Sequence, residues 1–169
     1  AALTAEAVAA AKQAEMDVVF LGLPAVEESE GYDRDHMNLP AAQLALLDAV
    51  LTANPNVVVV LSNGGAVALP FRDRVPAIVE GWLLGQAGGG ATADVLFGAV
   101  NPTGKLTETI PLRLQDNPSY GNFPGEYGHV RYGEGLFVGY RWYDERELDV
   151  AYPFGHGLSY TTFEHTDLA

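Results

Sequence analysis

Two stretches of this chain are apolar without interruption. Val18-Val19-Phe20-Leu21 and Val57 to Leu61 lack the polar alternation of a half-exposed strand, a pattern that predicts strands covered on both faces, as in parallel sheets. Before the first lies Ala5 to Glu15, rich in Ala, Glu, Lys and Gln. It is predicted as a helix capped by Thr4, with Leu3, Val8 and Ala11 on one face. Between the strands, Pro40 at a first-turn position opens a second helix running to about Ala53, with Leu44, Leu47 and Leu51 at helical spacing. Asn54-Pro55-Asn56 stops it.

Strand, helix and strand joined by short connections imply a right-handed parallel crossover, so the expected class is α/β. A third strand is predicted over Ala77 to Leu84, and the run Gly85 to Gly90 leads into a helix from about Ala91 to Phe97. From Asn101 to Tyr160, proline, glycine and aromatics dominate. That texture predicts a long irregular run with short elements around Lys105 to Ile110 and Leu136 to Asp144.

The whole chain has 169 residues, of which 48% are hydrophobic and 18% charged, enough for one soluble domain with its own core. It contains no cysteine, which excludes disulfides, thiolate metal sites and a Cys nucleophile. Nine basic against 22 acidic residues give a net charge of −13, a field that repels nucleic acid and anionic membranes. No apolar stretch reaches the ~20 residues of a membrane span, and the N-terminus does not read as a signal peptide. Asn101-Pro102-Thr103 and Asn117-Pro118-Ser119 carry the proline that forbids glycosylation. The compartment stays open.

The segment richest in chemistry is Glu27-Glu28-Ser29-Glu30-Gly31-Tyr32-Asp33-Arg34, placed after the carboxyl end of the first strand, where open α/β sheets bind ligands. Its crowded acids would repel one another and raise at least one pKa, as a general acid requires, while Gly31 would let a substrate approach the backbone. A solvated acidic loop is the alternative reading. Gly85 to Gly90 has neither the Lys-Ser/Thr of a phosphate loop nor G-x-G-x-x-G spacing, and is read as a helix start. The four histidines show no metal-ligand spacing, and no Gly-x-Ser-x-Gly elbow exists. Tyr120, Phe123, Tyr127, Tyr132, Tyr140, Trp142 and Tyr143 either pack under the long loop or stack on sugars, with packing the more common use.

The stretch Glu28 to Arg34, with Met37-Asn38-Leu39-Pro40, resembles a motif of the family 3 glycoside hydrolases, the β-glucosidase-like enzymes. Collinear with it are Asn54-Pro55-Asn56, Asn63-Gly64, Gly85-Gln86, Ala93 to Gly98, Asn101 to Leu106, Tyr132 to Gly135, Val138 to Arg141 and Pro153 to Tyr160. The resemblance implies a flavodoxin-like α/β sandwich with a mainly parallel sheet over residues 1–160, lacking the family's first strand and helix. Residues 161–169 would lead into a linker or a fibronectin type III-like domain.

It further implies a retaining β-glycosidase, using no cofactor or metal, in which Glu30 is the acid/base and an Asp nucleophile lies on a barrel domain absent from this chain. Ser29, Gly31, Tyr32, Asp33 and Arg34 would bind substrate or support the loop, with Asp33 and Arg34 as an ion pair. Besides the β-glycoside and the barrel, the missing first strand points to self-association as a further partnership. A non-catalytic flavodoxin-like binding or scaffolding domain is the alternative, with Glu30 only surface charge.

Overall fold

In the computed structural model, which describes residues 2–166, Asn54 and Asn56 organise the start of the fold. Helix α1 (Ala2–Ala11) begins and ends earlier than expected, so Thr4 lies within it and does not cap it. The expected continuation to Glu15 gives way to a tighter turn, in which the Gln13 and Ala14 N–H groups donate to the Ala10 and Ala11 carbonyls at 2.9 and 3.3 Å, and the carbonyls of Ala14 and Glu15 accept from the side-chain amides of Asn54 (3.2 Å) and Asn56 (2.8 Å). Asn54 also donates to the Asp17 carboxylate at 2.9 Å. The tripeptide that stops α2 (Ala41–Ala53) therefore also fixes where β1 (Asp17–Gly22) starts. Pro40 sits one residue outside α2, as the residue preceding its first turn.

Strand β2 (Val57–Ser62) lies between β1 and β3 (Ala77–Glu80) in a parallel sheet of order β1-β2-β3. Val19 pairs with Val59 on one side, and Val59 with Ile78 on the other. The central strand fulfils the expectation of two covered faces: Val57, Val59, Val60 and Leu61 are all buried. Strand β1 does not, because Val18 and Phe20 are 42% and 65% exposed, leaving one face open. Leu47 and Val50 of α2 are buried with Phe71, Val67 and Ile110 in the core.

The third strand is shorter than predicted. The Gly81 N–H still reaches the Leu61 carbonyl (3.0 Å), but Trp82 then takes a left-handed conformation, φ 52°, that turns the chain off the sheet. Helix α3 (Gly88–Leu96) starts earlier than Ala91, because the glycines form its first turn. Past it, the irregular run is held by β4 (Ile110–Pro111) pairing antiparallel with β5 (Val150–Tyr152), a partner strand that no local sequence pattern marks. Helix α4 (Tyr140–Glu145) replaces the expected element over 136–144.

Packing explains Tyr143, which is buried, and Trp142, whose indole N–H donates to the Asp116 carbonyl at 3.0 Å. Tyr120, Phe123, Tyr127 and Tyr132 are exposed. Asn101 ties the end of the run to the region after α3 through Ser159 (2.9 Å) and the Tyr160 N–H (2.8 Å). The expected linker over 161–169 ends in residues 167–169, outside those described. Among the described residues, no helix is long and apolar enough to cross a membrane.

Candidate functional site

The loops leaving the carboxyl ends of β1, β2 and β3 meet, which gathers Glu28, Asn63-Gly64-Gly65-Ala66 and Glu80 on one end of the sheet. After β1, the N–H groups of Glu27 and Glu28 bond to the Pro24 carbonyl at 2.8 and 3.0 Å, forming a turn. A second, tighter turn follows: Ser29 bridges Tyr32, whose N–H donates to the Ser29 carbonyl at 3.3 Å. Gly31 has φ 78° here, a conformation that costs glycine nothing and other residues ~1 kcal/mol or more.

Glu30 sits on this turn, exposed, and among the described residues its carboxylate makes no hydrogen bond or ion pair. Ser29, Gly31, Tyr32 and Asp33 are exposed beside it. The expected Asp33–Arg34 ion pair does not form. Arg34 folds back over the loop instead, 3.8 Å from the Glu28 carboxylate, and donates to the Ala66 carbonyl at 3.3 Å. Glu28 accepts the Gly64 N–H at 2.7 Å. The acids are therefore divided in role, Glu28 turned inward and Glu30 outward and exposed.

Several residues of this end were not among the candidates. Asn63 is fully buried and donates to the Gly65 carbonyl (2.9 Å) and the Glu80 carboxylate (3.4 Å). Burial pushes the Glu80 carboxyl above its usual value, partly offset by the Trp82 N–H and Asn63, while nearby Glu108 pushes it further up. Glu108 is exposed as a residue, yet partial desolvation of its carboxyl beside the cleft still raises it, against the Ala66 N–H and the charge of Arg34. Tyr143 is pushed up to about 12 by burial and then by Asp116 and Glu108. A cleft of about 330 Å³ opens between Gly64, Trp82, Leu83, Thr107 and Glu108. Glu80 could have been flagged in sequence, as a charge inside a predicted apolar strand. Glu108 carried no such signal.

Among the described residues, no three His, Asp or Glu side chains gather where they could hold a metal ion.

Residues 1–160 match the family model of the glycosyl hydrolase family 3 C-terminal domain. An exo-alpha-(1->6)-L-arabinopyranosidase of Bifidobacterium longum is 57% identical over 169 residues, 99% of this chain and 22% of that protein. A thermostable beta-glucosidase B of Acetivibrio thermocellus is 56% identical over 164 residues, 97% of this chain and 22% of that protein. Among solved structures, a family 3 β-glucosidase of Bifidobacterium adolescentis superposes with TM-score 0.92 at 57% identity, covering 95% of this chain and 24% of that one. A Kluyveromyces marxianus β-glucosidase in complex with glucose gives 0.91 at 47%, covering 95% and 20%. The chain thus spans between a fifth and a quarter of the length of these relatives. With the parallel sheet, the acidic turn and the matched motifs in one arrangement, the chain belongs to glycosyl hydrolase family 3 and is a C-terminal domain of its enzymes.

Proposed function

We propose that this domain supplies the general acid/base of a retaining β-glycosidase, with a β-linked glucoside as substrate, and that Glu30 is the group. The observation that carries this reading is the isolation of Glu30: one carboxylate on a tight turn, without a hydrogen bond or ion pair among the described residues and exposed beyond the carboxyl end of β1, while its neighbour Glu28 is consumed by the scaffold. The retaining mechanism needs a second carboxylate about 5–5.5 Å away as nucleophile. It also needs surroundings that lift the acid toward ~6, and both come from sequence outside this chain. The β-glucosidases among the relatives support the choice of sugar.

The test is Glu30→Gln in the complete enzyme that carries this domain. Cleavage of poor leaving groups falls about 10²–10⁴-fold, the loss typical of a removed general acid. Glycosylation by a dinitrophenyl glucoside survives, since that leaving group needs no proton. The second step then slows for want of a base, and azide restores turnover as a β-glycosyl azide. Equal losses on good and poor leaving groups without azide rescue would overturn the assignment.

A further inference from the structure

We propose that Glu28 is a positioning residue for Glu30, the clamp that fixes the direction in which the acid/base carboxylate points. The inference rests on the reading of Glu30 given above. The Glu30 carboxylate makes no hydrogen bond or ion pair among the described residues, so its direction is inherited from the base of its turn. That base is held from both sides by one ion pair: Glu28 precedes the 29–32 turn, Arg34 follows it, and the two close at 3.8 Å.

The pair is tied to the sheet at two points two residues apart. The Gly64 N–H donates to Glu28 at 2.7 Å, the length of a charge-assisted bond, and Arg34 donates to the Ala66 carbonyl at 3.3 Å. Because Gly64 directly follows the β2–Asn63 segment, and Asn63 is fully buried, these ties anchor the turn to the central and most deeply buried strand of the sheet.

The surface under the clamp is shaped for it. A Cβ on Gly64 would lie 3.1 Å from both the Cδ and the Oε1 of Glu28, and one on Gly65 would lie 3.3 Å from an Arg34 guanidinium nitrogen. Both side chains thus lie directly on bare backbone and are largely shielded from water, which limits their rotation. A catalytic group displaced by about 1 Å can lose on the order of 10² in rate, so a fixed base is what a Glu30 without hydrogen-bond partners among the described residues requires.

The experiment uses the complete enzyme, comparing Glu28→Gln, Glu28→Ala and Gly64→Ala with Glu30→Gln, each checked for folding by its thermal midpoint. In Glu28→Ala, kcat on a poor leaving group falls about 10²-fold, with KM within about twofold, while glycosylation by a dinitrophenyl glucoside is nearly unchanged. Glu28→Gln keeps an oxygen for the Gly64 N–H and recovers part of the loss. Gly64→Ala, whose added Cβ would meet Glu28 and, at the same 3.1 Å, the Leu83 Cδ1, without removing the Glu28 charge, shows the same leaving-group signature at smaller size and covers the case in which Glu28→Ala does not fold.

Equal losses on good and poor leaving groups, or a lowered midpoint with unchanged kcat, would overturn the proposal. So would a Glu28→Gln loss as large as that of Glu30→Gln, because Glu28 would then be the acid itself. If Glu30→Gln shows the leaving-group signature and the Glu28 variants do not, only the clamp is wrong. If Glu30→Gln lacks it too, the reading of Glu30 falls first.

Discussion

The side-chain amide of Gln43 grips both backbone groups of Gly22: Nε2 donates to the Gly22 carbonyl at 2.9 Å, and Oε1 accepts its N–H at 3.0 Å. In a parallel ladder a residue's N–H and C=O point to the same side. Asp17 and Leu23 donate toward the β2 strand, to Asn56 and Ser62, so residues 18, 20 and 22 face outward. Gln43 therefore stands in for an absent neighbouring strand at the end of β1. Gln43→Ala is expected to destabilise the domain by about 1–3 kcal/mol, two net hydrogen bonds' worth. A urea titration showing an unchanged midpoint would contradict it.

The same geometry leaves Val18 and Phe20 with outward backbone groups and exposed side chains, an edge of the kind that pairs with another chain. The 169-residue chain alone is expected to self-associate at high concentration, and Phe20→Glu should reduce that association. Light scattering that gives a monomer for the unmodified chain at every concentration would count against it.

The chain alone should hydrolyse aryl β-glucosides no faster than buffer, because the proposed nucleophile lies on other sequence. Assays of the purified domain, with Glu30→Gln as the contamination control, would sink the shared-site reading if they showed turnover that the substitution abolished.

Glu108 gives a pH prediction. Its folded pKa is raised from the ordinary 4.5, so between that value and its folded value the native state holds more protons than the unfolded one. Ionisation of Glu108 therefore lowers stability as pH rises through that window. Glu108→Gln, which stays neutral and can still accept the Ala66 N–H, should stabilise the domain at pH 7, with the advantage shrinking toward pH 4. Urea midpoints at several pH values measure this, and a variant less stable than the parent at pH 7 would show that the Arg34 charge outweighs burial.

The sequence by itself determined the class, the order of the first three strands and their helices, and the loop that carries the acids. Apolar runs and proline or asparagine stops are local signals, and Val57 to Leu61 could bury in few other ways. The edges of elements were decided by tertiary contacts: the turn between α1 and β1 is held by Asn54 and Asn56, some forty residues away, which donate to the Ala14 and Glu15 carbonyls. β5 was invisible because three residues can be a strand only if β4 lies beside them.

At the site, the pattern of charges showed that acids cluster after β1 but could not say which would turn inward. That depended on Gly64 and Ala66 arriving from β2 with a free N–H and a free carbonyl, which drew Glu28 and Arg34 together and left Asp33 in solvent. A charge chooses its partner by distance in space, and distance in space exists only once the sheet has formed.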